Sequence, residues 1–67
     1  MMFEGIIAKN KVSKEFKDYI LMLSSINHIP QQGTNHVINE QVFNLYQVSY
    51  EKTINDDNHL YVKLYFK

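Results

Sequence analysis

Residues 42–66, VFNLYQVSYEKTINDDNHLYVKLYF, decide the fold. Within 59–66, Leu60, Val62, Leu64 and Phe66 alternate with Tyr61, Lys63 and Tyr65, and Lys67 extends the second row. A period of two marks a strand with one face turned to a core. Residues 42–54 read the same way, with Val48, Tyr50 and Ile54 at even positions. Asn55, Asp56, Asp57 and Asn58 between the runs are turn formers, so the two strands form a hairpin. Parity then restricts the register. Even positions must face even positions, which requires a loop of odd length, because a slip of one residue turns a strand's apolar set outward. A three-residue loop, Asp56-Asp57-Asn58 with Asn58 left-handed, meets that condition. It pairs Val48 with Phe66, Tyr50 with Leu64, Glu51 with Lys63 and Ile54 with Leu60. The charge pair played no part in choosing this register and supports it separately.

Phe43 and Leu45 are odd-numbered. In an unbroken strand they join Tyr61, Lys63 and Tyr65 on the outer face, while Val42 and Tyr46 point inward. A bulge near 45–47 would return them to the core.

Upstream, residues 13–27 carry a helix. Ser13 is an N-cap whose hydroxyl can accept from a backbone amide left without a partner, and Glu15 suits the first turn. Phe16, Tyr19, Ile20, Leu23 and Ile26 fall on one stripe at 3.6-residue spacing. Leu21 lies on the polar side and Met22 at the stripe's edge. Pro30 disfavours helical geometry at Ile29, so the helix stops near Ile26 or Asn27. Residues 2–8 read as a first strand, in which Gly5 marks either a bulge or a close backbone approach. Residues 27–41 are the least regular, with a turn at 30–33 and a short strand within 34–38. The order β-α-(β)-β-β makes 1–67 a single small α+β domain. One helix packs on one face of a three- to four-stranded, mostly antiparallel sheet that ends in a β-hairpin.

Composition excludes several functions. A chain of 67 residues hides only about 60% of its unfolded surface, which leaves no room for a scaffold plus a deep substrate cleft. With no cysteine there are no disulfides, thiolate metal sites or cysteine nucleophiles. Zero net charge argues against a general nucleic-acid coat protein. No apolar run approaches the roughly 18 residues of a membrane span. Glu4 and the lack of a preceding basic residue argue against a secretory signal, so a cytoplasmic location is expected. All seven basic residues are lysine, beside seven asparagines, seven isoleucines and five tyrosines. AT-rich coding produces that bias, and a phage or mobile element fits it. Without arginine the chain lacks the usual bidentate clamp for phosphate.

Candidate chemistry is sparse. His28, His36 and His59 have neither the helical nor the short-loop spacing of zinc ligands, so no metal is expected. Asp56 and Asp57 lack the alternating ligands of a calcium loop. Ser24 and Ser25 near His28 have no nucleophile elbow around them, and Gly5 and Gly33 make no phosphate loop. The expectation is a non-enzyme with no catalytic residues, cofactor or small-molecule substrate. Surplus apolar and phenolic surface points instead to association. Leu21, Met22, Phe43, Leu45, Tyr61, Lys63 and Tyr65 are the candidate partner-binding residues. The expected role is a homodimer, or a module that regulates or inhibits a larger protein. The alternative is a nucleic-acid binder using Lys9, Lys11, Lys14 and Lys17, or the Tyr61–Lys67 face.

Overall fold

A computed structural model of the protein describes residues 2–7, 12–52 and 60–67. Its elements are β1 (Met2–Ile7), α1 (Lys14–Ser25), β2 (Asn35–Ile38), β3 (Gln41–Lys52) and β4 (Leu60–Phe66). The strands form one sheet in the order β1-β4-β3-β2. β1 runs parallel to β4, and the other two pairings are antiparallel. The chain is a small α+β domain with one helix on one face of a four-stranded mixed sheet.

The helix forms as its sequence signals require. The Phe16 amide donates to Ser13 Oγ at 3.1 Å, with Glu15 in the first turn. Phe16, Ile20 and Leu23 are buried, and Tyr19 packs beside them. Ile26 departs from its expected place on the stripe. It is the C-cap and is 60% exposed, because Asn27 turns left-handed (φ 52°) and ends the helix. The His28 amide then donates to the Leu23 carbonyl and the Asn27 amide to that of Ser24, which satisfies two terminal carbonyls.

The core lies between helix and sheet. Phe16, Phe43 and Phe66 meet edge to face, with centroids 5.3 to 6.5 Å apart, and Leu45, Val62 and Leu64 are fully buried around them. Gly5 sits beneath the helix. A Cβ there would fall 2.6 Å from Phe16 Cε1 and 2.7 Å from Ile20 Cγ1. It is therefore the close approach, not a bulge, and it pairs regularly with Leu64.

The hairpin keeps the expected parity but slides by two residues. Val48 faces Leu64, Ser49 faces Lys63, Tyr50 faces Val62 and Lys52 faces Leu60. The expected pairs Val48–Phe66, Tyr50–Leu64, Glu51–Lys63 and Ile54–Leu60 are not the ones formed. A two-residue slide leaves every side chain on its face, so alternation cannot tell the two registers apart. The loop assigned to Asp56-Asp57-Asn58 lies outside the described residues. A bulge does interrupt the register between Leu45 and Gln47. It returns Leu45 to full burial and brings Phe43 half-buried against the core, while Val42 turns outward at 64% exposure. The unbroken-strand assignment of Phe43, Leu45, Val42 and Tyr46 is thus reversed.

β2 and β3 join through a two-residue turn, Asn39-Glu40, with φ of 49° and 66°. Both central residues have positive φ, the geometry that matches strand twist and favours Asn-Gly. Glutamate is costly there. A left-handed residue with a Cβ loses roughly 1–2 kcal/mol, whereas glycine costs about 0.5–1 kcal/mol in chain entropy. Glu40→Gly should therefore stabilise the protein by up to about 1 kcal/mol, raising the melting midpoint by about 4–8 °C. Thermal denaturation of the two proteins checks this.

Candidate protein-interaction surface

Twelve helical residues span about 16 Å, whereas the twelve of β3 span about 36 Å, nearly the 37 Å length of the molecule. One helix cannot cover the inner face. Tyr50 shows the consequence: it faces the helix side yet is 57% exposed. The other face has no covering layer among the described residues.

That open face is built by β4 and its neighbours. Tyr61 lies between Met2 and Glu51, Lys63 between Glu4 and Ser49, and Tyr65 between Ile6 and Gln47. The bulge adds Tyr46, whose ring centroid is 6.2 Å from that of Tyr65, with the Lys67 ammonium 5.1 Å above it. Val37 and Val42 oppose each other across β2 and β3 at 68% and 64% exposure. Lys63 Nζ donates to Glu51 Oε1 at 3.3 Å. That bond and the Glu51 charge hold the Lys63 pKa above its ordinary value, with Glu4 adding in the same sense. The cation therefore already has partners.

Leu21 and Met22 stand on the helix at 66% and 43% exposure, next to Ile26, in the opposite layer from the tyrosines. The seven residues expected to bind a partner thus separate into three groups. Tyr61, Lys63 and Tyr65 share the open face; Leu21 and Met22 share the helix surface; Phe43 and Leu45 belong to the core. Lys14 and Lys17 are exposed on the helix, also in the opposite layer from Lys63 and Lys67, so these four make no single basic groove. Lys9, Lys11 and His59 lie outside the described residues.

One polar cluster was not legible in the sequence. His36 on β2 sits between the rings of Tyr19 and Phe66, its centroid 5.7 and 5.6 Å from theirs. The Thr34 hydroxyl donates to the Gln31 carbonyl, so its oxygen accepts from His36 Nε2 at 2.8 Å. Nδ1 is left to accept from the Tyr19 hydroxyl at 2.6 Å. The neutral Nε2–H tautomer satisfies every member of the chain. It ties α1 to β2. No spacing rule joins residues 17 positions apart, which is why it escaped notice. Ser25 Oγ donates to the Met22 carbonyl, the ordinary bond of a hydroxyl near a helix end. Among the described residues no three potential metal ligands converge.

Burial, and secondarily His28, lowers the His36 pKa from its ordinary 6.5. The unfolded chain therefore binds a proton more readily than the folded one. The neutral ring's contribution is complete above about 6.5 and is lost as pH falls through the lower folded value. The melting midpoint should fall between pH 7.5 and 5.5, and His36→Gln should flatten that slope. An unchanged slope would assign it to other groups.

The chain matches no protein-family model, no curated protein and no solved structure.

Proposed function

We propose that the protein is a non-enzymatic protein-interaction module that associates with itself and regulates or inhibits a larger protein. One observation carries this reading: a four-stranded sheet face with no layer over it among the described residues, bearing Met2, Ile6, Val37, Val42, Tyr46, Tyr61 and Tyr65. Exposed aliphatic and half-buried tyrosine side chains on one face are the composition of association surfaces. Charges of both signs on this face, Glu4 and Glu51 with Lys63 and Lys67, suit a protein partner better than a polyanion. The bulge supports the same reading, since it places Tyr46 beside Tyr65 while burying Leu45. A cytoplasmic phage or mobile-element accessory protein fits this role. No helix among the described residues is long and apolar enough to cross a membrane.

Sedimentation across a concentration range tests the self-association. The wild type should shift toward dimer, and Val42→Lys, at an exposed site, should stay monomeric with unchanged circular dichroism. A wild type that remains monomeric at millimolar concentration would remove the dimer. Nucleic-acid binding is the competing reading, resting on tyrosines interleaved with Lys63 and Lys67. Titration with single-stranded DNA at two salt concentrations decides it, because phosphate-driven binding weakens steeply with salt.

A further inference from the structure

β1 is an edge strand. Among the described residues it has one neighbour, β4, and pairs with it regularly over six residues, Met2 to Ile7. Its outer side presents backbone donors and acceptors in need of partners. Edges are ordinarily blunted by lysine, proline or a bulge. β1, MFEGII, has none of these; its one charge is Glu4, next to Lys63 on the open face. On the helix side a groove of about 380 Å³ runs between this edge and α1. Its walls are Phe3, Gly5, Val12, Phe16, Ile20 and Leu21, with Lys17 on the helix rim and Glu4 on the strand side. Lys17 falls along the chain between Val12 and Leu21, two of the groove's apolar walls. Lys14 is its i−3 neighbour on the exposed helix surface.

We propose that this edge and groove capture an extended segment of a partner protein, which adds as a fifth strand beside β1. The site goes beyond the open face and shares with it only the premise that the chain works by binding protein. Only an extended backbone can satisfy the donors and acceptors of an edge strand, and alternate side chains of the added strand enter the groove. The walls ask for aliphatic side chains at the two ends. Lys17 asks for a carboxylate between them. On the opposite side of the added strand Glu4 disfavours an acid, so uncharged polar residues belong there. The same charges select against a second copy in this position. Pairing two β1 edges brings two sets of Lys14 and Lys17 toward one another across the joint, a like-charge arrangement.

The probe is the blocked peptide Thr-Val-Thr-Glu-Thr-Val-Thr, titrated into the full chain and followed by amide chemical shifts. Its pattern reads the same in either strand direction. Shifts should concentrate at residues 2–7 and at Lys17 and Leu21, and the outward β1 amides should gain hydrogen-exchange protection. Replacing the peptide's glutamate by lysine should weaken binding by about tenfold. Lys17→Glu, an exposed substitution, should reverse that preference. N-methylation along one edge of the peptide should abolish binding, which separates strand addition from a side chain merely entering the groove. Shifts confined to the open face would overturn the proposal. So would equal binding of the glutamate and lysine peptides, or no shift at millimolar peptide. Concentration-dependent protection of β1 without peptide would overturn it in favour of a second copy. Self-association through the open face is read separately, by sedimentation of Val42→Lys.

Discussion

Leu45→Asn should leave the protein unfolded at room temperature. The bulge between Leu45 and Gln47 lets β3 present Val48 and Tyr50 to the helix side on one flank and Leu45 and Phe43 on the other. In an unbroken strand Leu45 would lie on the open face, where asparagine would cost little. Leu45 instead has no exposure, and losing the burial of a leucine costs about 1.5–3 kcal/mol. Placing an unpaired amide in the core adds about 1–3 kcal/mol more. A domain of this size has roughly 3–10 kcal/mol of total stability, so these losses are comparable with the whole of it. Far-ultraviolet circular dichroism and a urea titration check this. Cooperative unfolding with a near-native midpoint would mean that the bulge does not hold Leu45 in the core. Tyr46→Ala is the control: it keeps the bulge, removes only an open-face ring, and should stay folded.

The bulge was legible as a possibility for a definite reason. Phe43 and Leu45 are out of phase with Val48 and Tyr50, and one extra residue is the local way to restore phase. The register was legible only modulo two. Glu51 and Lys63 looked like independent support for a directly opposed pair, yet they meet at 3.3 Å as a diagonal pair, one step removed. A lysine is long enough to reach either position, so this charge pair could never discriminate between registers two residues apart. The helix start was readable because Ser13 acts locally, through its own hydroxyl. The helix end was less so, since the periodicity runs on into Ile26 while Asn27 has already turned. The Asn39-Glu40 turn was missed because glutamate is not a residue that positive φ favours. Tyr61 and Tyr65 needed only strand parity to be placed, whereas Tyr46 reaches the open face through the bulge. The groove beside β1 could not be read from the sequence at all, because it depends on which strand is central. The order that puts β4 between β1 and β3 is set by contacts between distant segments.

Gly5→Val should destabilise the protein more than any exposed substitution discussed above. Two effects oppose one another at this position. Glycine inside a strand is costly in chain entropy, about 0.5–1 kcal/mol relative to alanine, and valine has strong strand preference, so propensity alone favours the change. Space opposes it. The first added carbon already falls 2.6 to 2.9 Å from Phe16 and Ile20, closer than carbons can approach, and valine adds two more. Relief would require Phe16 to move, but its ring is 1% exposed and held edge-on by Phe43 and Phe66. Forcing single methylenes into a packed core costs about 1–3 kcal/mol, and here three carbons enter, so packing decides the sign. Gly5→Ala should lose about 1–2 kcal/mol net, and Gly5→Val enough to leave little cooperative structure. The paired variant Gly5→Ala with Ile20→Ala identifies the cause. Ile20 Cγ1 is one of the clashing groups, and alanine lacks it, which gives the new methyl room. Relative to Ile20→Ala alone, Gly5→Ala should then cost less than it does in the wild type, a favourable coupling of about 0.5 kcal/mol or more. Additive losses in urea unfolding would mean that the strand tolerates a side chain at Gly5 and that the helix is not seated against it.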